Sequence, residues 1–337
     1  MARNDRIFYA CKAVVIMPTG VDPAPSGVVK GLQSIGMNSN FTLEQVFEIG
    51  QLEIYENIED IADVEVTLEK VIDGEPLLWG LASNGLCATD LVAAAKARCD
   101  VYMAVYDDST SNATGLPRNV CWNSGMYTSS VSYSYSVDGN ATESVTLVGN
   151  DKFWNADANQ TGDTATAQYG SLATGFDGTD TPASGVVRRV NVDLSASTLP
   201  AIVESQEGDL AGDNNYHIQS ISVSADFGQE NLLELGRFGP YAKFTTFPIE
   251  VTSEFEVIAT SGDLKSVSGE AENLTDNDIE IKDDAGTVLN LNVGGGGIGT
   301  GKNKLTSISY SGGDTGGGNA TVTYSFNNFN SLRVLGG

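Results

Sequence analysis

The chain is poor in the residues that usually do chemistry. Among 337 residues there is one histidine, His217, and four cysteines, Cys11, Cys87, Cys99 and Cys121, with no Cys-x-x-Cys pair. A zinc site needs several Cys or His ligands at short spacings, so this supply argues against one. Buried free thiols are the expectation, since disulfides would require an extracellular or virion setting. Cations are scarce too: 18 Lys and Arg stand against 44 Asp and Glu, a net charge of −26. Gripping nucleic-acid phosphates needs clustered Lys and Arg, and Arg188-Arg189 is the only basic doublet. Long apolar runs are also missing, so no segment reads as a membrane-spanning helix. Near the N-terminus, Lys12 interrupts the stretch Ile7 to Met17 and no cleavage site follows, which predicts an arm or first strand rather than a signal peptide.

Motifs for specific chemistry fail on context. Gly296 to Asn303 has the Gly-x-x-x-x-Gly-Lys frame of a phosphate-binding loop, but Asn303 replaces the hydroxyl that would hold Mg²⁺. Leu305 to Tyr310 then reads as a strand, whereas such a loop must open a helix. Asp276-Asn277-Asp278 and Asp283-Asp284-Ala285-Gly286 lack the Ca²⁺-loop pattern and read as solvated loops. His217 lies in an alternating stretch beside Tyr216, where a packed or surface role is expected rather than general-base work. No carboxylate pair stands out as glycosidase machinery. The reading is of a protein without catalytic residues, cofactor or metal, and not an enzyme.

What the chain does have is the same motif twice. Gln33 to Tyr55 aligns without a gap on Gln219 to Tyr241, with eight of 23 positions identical, including Gln33/Gln219, Ser34/Ser220, Phe41/Phe227 and Gly50/Gly236. If one residue is then dropped, Val64-Glu65-Val66-Thr67 matches Ile249-Glu250-Val251-Thr252. Such a duplication constrains architecture before any site is considered. Each copy reads strand, short helix, strand. Leu32 to Phe41 and His217 to Ser224 alternate like strands. Leu43 to Gly50 and Gln229 to Gly236 carry apolar residues at helical spacing and stop at glycine, predicting a flanking helix of about two turns. Asp63 to Glu69 and Ile249 to Val257 alternate apolar with acidic residues. A weaker echo relates Val131-Ser132-Tyr133-Ser134 and Gly139-Asn140-Ala141-Thr142 to Ile308-Ser309-Tyr310-Ser311 and Gly318-Asn319-Ala320-Thr321, both hairpin-like. One longer helix is predicted over Thr89 to Arg98, with Thr89 or Asp90 as N-cap.

The fold class is therefore mainly β, as two related β-sandwich or barrel units with short helices. Residues 1–155 form the first unit and 215–337 the second, with 156–214, rich in Asn, Thr, Gly and Ser, as a linker or inserted loop. At 41% hydrophobic residues the chain can bury two cores. Acid is concentrated at residues 41–75, where eleven Asp and Glu face only Lys70.

With these residues in view, the chain resembles a tailed-bacteriophage tail tube protein (major tail protein). The likeness rests on Leu32 to Phe41, Glu44 to Leu52 and Val64 to Val71, with a divergent copy over Phe244 to Val251. It implies units that form rings whose inner strands make one barrel, the rings stacking into a virion tail tube that conducts DNA without binding it specifically. Glu65, Glu69, Glu250 and Glu254 would face the lumen, where negative charge repels phosphate. Gln51 to Asp63 sits where the family carries a loop that contacts the adjacent ring. Two units per chain imply a trimer with pseudo-sixfold symmetry; the alternative is a hexamer with the second unit decorating the outside. The resemblance also implies other tail proteins (sheath, baseplate, terminator) as partners and assembly in the host cytoplasm. Two other functions stay open: another tail ring component, for tail completion or baseplate, or a carbohydrate-binding adhesin using Trp79, Trp122 or Trp154 as platforms.

Overall fold

The computed structural model describes residues 7, 12–21, 23–106, 117, 119–155, 185–192, 199–204, 217–260, 262–263, 265, 273–274, 277–282, 288–293, 303–312 and 318–336. It is mainly β, in antiparallel sheets with a few short helices. The first unit contains β1 (Lys12–Pro18), β2 (Leu32–Asn40), β3 (Leu43–Phe47), β4 (Ile54–Glu59), β5 (Asp63–Val71), β6 (Arg98–Val105), β7 (Asn119–Ser136), β8 (Thr142–Gly149) and β9 (Asp151–Asn155), with helices α1 (Leu78–Ala82) and α2 (Leu91–Ala95). A short helix α3 (Ala201–Glu204) precedes the second unit. That unit contains β10 (Ile218–Asp226), β11 (Gln229–Leu232), β12 (Ala242–Thr245), β13 (Glu250–Ile258), β14 (Asn273–Leu274), β15 (Asn277–Lys282), β16 (Val288–Val293), β17 (Asn303–Ser311), β18 (Thr321–Phe329) and β19 (Leu332–Leu335).

Eight strands form the central sheet in the order β17-β18-β13-β10-β7-β8-β5-β2, with β14 against the start of β17. Period-two patterning produces it. In β5, Val64, Val66 and Leu68 are buried while Asp63, Glu65 and Glu69 are exposed, and β13 buries Val251, Ser253, Phe255 and Val257. The buried side is covered in the first unit by α1, α2 and a layer in which β6 pairs β1 and the first half of β7. In the second unit β15, β16 and β19 form a separate three-stranded sheet that places Ile279, Leu291 and Val334 in the same core. From the 156–214 segment, Val187, Leu199, Ile202 and Val203 join that core, so its described parts dock on existing layers.

Hydrogen bonding shows how deep the duplication runs. β2 pairs β5 with Ile35 opposite Leu68, and β10 pairs β13 with Ile221 opposite Phe255. Both pairings carry a bulge at the shared glutamine, Gln33 or Gln219. Each glutamine donates through Nε2 to the carbonyl two residues back, Gly31 or His217, at 3.1 Å. Those two residues share a left-handed backbone, φ 71° and 46°. The bulge explains why Gln and Ser recur: Ser34 Oγ donates to Glu69 at 3.3 Å and Ser220 Oγ donates to Glu256 at 3.1 Å. The weaker echo also holds, because Ser134 faces Thr142 and Ser311 faces Thr321, with a bulge earlier in each pair.

Three expectations need correction. By strand pairing Val64 corresponds to Val251, not Ile249, so the second copy gains a residue before this strand where the sequence match drops one. Sequence similarity could not choose between the two alignments, because a shift of two keeps every side chain on its face. The predicted flanking helices are hairpins instead, β3 with β4 and β11 with β12. Helical spacing there has no surface to bury against: Ile49, Leu52 and Leu235 are fully exposed. A two-turn helix without packing loses to a hairpin, which pairs the backbone locally. The predicted helix over 89–98 is shorter, Leu91–Ala95, with the Asp90 carboxylate accepting from Val92 N–H, and Arg98 already begins β6. The predicted first strand is β1.

A fully buried carboxylate fastens α1 to the sheet. Glu143 on β8 accepts from the N–H groups of Leu78 (2.6 Å) and Trp79 (3.1 Å) and from the Tyr133 hydroxyl (3.0 Å). It thereby satisfies the orphan donors of a helix start with a charge from another strand. Nearby, buried Lys70 pairs with Asp73 at 2.6 Å and donates to Lys30 O at 2.8 Å. Desolvation pushes the Glu143 carboxyl up, opposed by its bonds to Trp79, Leu78 and Tyr133 and by Lys70. A folded-state pKa above the unfolded value adds stability that is complete below the unfolded pKa and is lost as pH rises through the folded one. Unfolding midpoints measured across pH should therefore fall less steeply above the usual carboxylate range in Glu143→Gln than in the parent protein. Glu143→Ala, which strands three donors, should cost about 3 kcal/mol.

Candidate assembly surfaces

The outer face of the eight-stranded sheet is hydroxylic and acidic. Successive strands present Ser309 and Ser311, Ser325 and Asn327, Glu250 and Glu254, Ser222 and Ser224, Ser132 and Ser134, Ser144 and Thr146, and Glu65 and Glu69. The four acids singled out from sequence thus lie on one surface, all exposed. Pairing register adds Glu256, the true counterpart of Glu69, which the shifted alignment had missed. The carboxylates are held by neutral donors: Ser325 Oγ donates to Glu254 at 3.0 Å, and Asn327 Nδ2 donates to Glu250. Thr252 Oγ1 bonds Asn327 Oδ1 at 3.1 Å, fixing that amide. Among the described residues none of these acids is in an ion pair; the exposed-to-buried series of pairs is Arg237–Glu234, Lys30–Glu75 and Lys70–Asp73. Their charge therefore acts on whatever lies above the sheet, over about 8 Å at physiological salt.

Beyond the sheet project two apolar hairpins. On the first, Phe47 (61% exposed), Ile49 and Leu52 face solvent; on the second, Leu233, Leu235 and Phe238 do the same. Gly50 and Gly236 turn at equivalent points with φ 96° and 88°, a conformation that favours glycine. Large apolar side chains exposed together in this way are a feature of interaction surfaces rather than of an ordinary solvated face. The second hairpin is partly seated within the chain: Thr245 Oγ1 donates to Ala95 O at 2.9 Å, Gln229 Nε2 to Thr128 O at 2.8 Å, and Lys96 lies 5.8 Å from the Phe247 ring centre.

The two units meet edge to edge. β10, the first strand of the second unit's sheet, pairs with β7, the last strand of the first, from Ser220↔Ser136 to Asp226↔Ser130. The seam continues in Phe227 N–H to Ser129 O (2.8 Å) and Val137 N–H to Gln219 O (3.0 Å). Phe227 closes it from below, fully buried with its ring 6.0 Å from Trp79. Its identical counterpart Phe41 is 72% exposed.

Other residues noted from sequence fall elsewhere. Trp79 is in the core and Trp122 stacks on Tyr102 at 6.1 Å, which leaves Trp154 as the one exposed tryptophan, next to the exposed Phe153. Cys87, Cys99 and Cys121 are buried free thiols, with burial raising all three and bringing Cys121 to about 11; Cys11 lies outside the described residues. His217 is exposed at the turn before β10. Gly296 to Lys302, Asp276 and Asp283 to Gly286 also lie outside them, while Asn303 opens β17 as the strand pattern predicts. Among the described residues no group of three Asp, Glu, His or Cys could hold a metal, and no helix is long and apolar enough to cross a membrane.

No protein-family model matches this chain, and no curated protein matches it. Among solved structures, the cap of the anti-feeding prophage (its tube terminating cap) is similar with a TM-score of 0.35 and 15% identity, covering 47% of this chain and 95% of that one. A chain of the six-fold symmetrised anti-feeding prophage baseplate is similar with a TM-score of 0.32 and 10% identity, covering 45% of this chain and 96% of that one.

The paired phenylalanines separate intrachain packing from surface. Phe227→Ala should lower the unfolding free energy of the unassembled protein by about 3–5 kcal/mol. Phe41→Ala should change it by less than about 0.5 kcal/mol. Denaturant titration of dilute protein measures both.

Proposed function

We propose that this chain is a structural, non-enzymatic subunit of a phage-tail-like particle, assembling into stacked rings that form a tail tube. One observation carries the reading: two equivalent four-stranded units share one continuous sheet whose free face is hydroxylic and acidic. The resemblance over Leu32 to Phe41 and Val64 to Val71 supports the same conclusion. Curling that sheet with its polar face inward gives a bore lined by Ser, Thr and the carboxylates of Glu65, Glu69, Glu250 and Glu254. Such a lining repels phosphate, so DNA slides through without specific contacts. Because the second unit extends the sheet of the first, three chains with pseudo-sixfold symmetry are the favoured ring over a hexamer with that unit outside.

The apolar hairpins then serve contacts between rings and with other tail proteins such as a sheath, baseplate or terminator. Assembly takes place in the host cytoplasm and the product resides in the virion tail. Electron microscopy of the purified protein tests the reading. Stacked tubes are the expected result; rings that never stack would point to a tail-completion or baseplate component, and a strict monomer at high concentration would overturn assembly altogether. In the phage itself, Lys at positions 65, 69, 250 and 254 should leave tubes intact and slow DNA ejection. Normal ejection kinetics would show that these acids do not line the bore.

A further inference from the structure

One buried cluster of ionisable side chains has no part in ring formation or in the polar face. Lys70, near the end of β5, and Asp73, in the turn that follows, are both 0% exposed, with Nζ 2.6 Å from Oδ1. Glu143 stands opposite Lys70 in the β5–β8 pairing and is fully buried as well. One cation is thus enclosed with two carboxylates, and Glu143 has three donors of its own. Stripping water from both members of an ion pair offsets much of what their attraction gains.

The pair is held as two reactants would be. Lys70 Nζ also donates to Lys30 O at 2.8 Å, which fixes the direction of the amine. Asp73 Oδ1 accepts from the Glu75 N–H at 3.2 Å, a donor that polarises the carboxyl group. Oδ2 fills the space that a Cβ on Gly31 would need, and Gly31 has a left-handed φ of 71° that suits glycine. A desolvated lysine amine is a good nucleophile, and fixed proximity makes its attack far faster than the bimolecular reaction.

We propose that Lys70 and Asp73 condense, once the chain has folded, into an intramolecular amide bond between Nζ and Cγ. One proton first crosses from the ammonium to the carboxylate, leaving a neutral amine and a neutral acid. Nζ then attacks Cγ, and the Glu75 N–H stabilises the charge that develops on Oδ1. A second proton passes from the nitrogen to the departing oxygen, the Cγ–Oδ2 bond breaks, and Oδ2 leaves as water. Nothing is oxidised or reduced, and no co-reactant is consumed. The two buried charges disappear together, which favours in this site a condensation that bulk water would reverse. The product keeps one N–H for Lys30 O and one carbonyl oxygen for the Glu75 N–H.

The bond sits where several backbone connections converge. Val71 N–H donates to Gly31 O, Ile72 N–H to Ala141 O, and Val187 N–H to Ile72 O. The loop it closes is short, so it constrains the unfolded chain little. Its effect is local: the end of β5 gains an uncharged staple that neither pH nor salt can open. The proposal stands independently of the ring-forming reading.

Tryptic mass mapping of the full-length protein, unfolded before digestion, tests the bond. Trypsin does not cut after an amidated lysine. The expected product is therefore a peptide from Gly31 to Lys96, uncut after Lys70 and lighter than its sequence by one water. Fragment ions should place the missing water between Lys70 and Asp73. Full mass with normal cleavage after Lys70 would overturn the proposal. Asp73-Gly74 can also lose water by cyclising on its own backbone. That product has the same mass but is cut normally after Lys70, and finding it would equally overturn the amide. Lys70→Arg should restore the full mass of this segment; water loss that persists in the variant would count against Lys70. Chain kept in denaturant from synthesis onward should show full mass and normal cleavage, and the uncut, lighter peptide appearing there would overturn the dependence on folding. The wild-type measurement decides the bond even where the variant does not fold.

Discussion

A β-strand carries hydrogen-bonding groups along both edges, and burying or pairing each edge is the constraint on which this structure turns. Among the described residues each unit pairs its interior strands alone but leaves its first and last strands half paired. Inside the chain one such debt is met by the other unit, through β10 on β7. That single seam makes two repeats into one sheet and gives it one continuous polar face. It also carries Phe227 under Trp79, which ties the second unit to the helix layer of the first.

Carboxylates are used in two opposite ways around that sheet. On the outer face Glu250 and Glu254 keep their solvation and take weak, neutral donors from neighbouring strands. On the inner side Glu143 is stripped of water and is held by two helix N–H groups and a tyrosine hydroxyl. Burial of such a charge is tolerable only with this many donors. The strong negative balance of the chain therefore does not describe one property. Its outer part sets how the surface meets charged partners, and its inner part orders α1 against the sheet.

Much of the architecture was legible because strand alternation and duplication leave plain traces. The recurrence of Gln33-Ser34 as Gln219-Ser220 marks a bulge and a hydroxyl-to-carboxylate bond, present in both copies. Val131 to Ser134 and Ile308 to Ser311 were matched in the register that the hairpins adopt. The segments 43–50 and 229–236 read as helices but start hairpins, because spacing reports periodicity, not whether a surface exists to bury it. The strand match at Val64 slipped by two for a related reason: faces were right, partners were not. Nothing in a single copy of the motif could reveal that Phe41 and Phe227, the same residue in the same repeat, have opposite environments.

The sequence by itself determined the class of structure, the duplication and the acidic strands, since these follow from local alternation and composition, which each segment carries alone. Only the tertiary structure decided that the second unit continues the sheet of the first and that, among the described residues, β2 and most of β17 stand at its ends without a further strand. Strand order is set by long-range pairing of backbone groups that every residue possesses, and it leaves no signature in side chains until they are seen to be buried or bare.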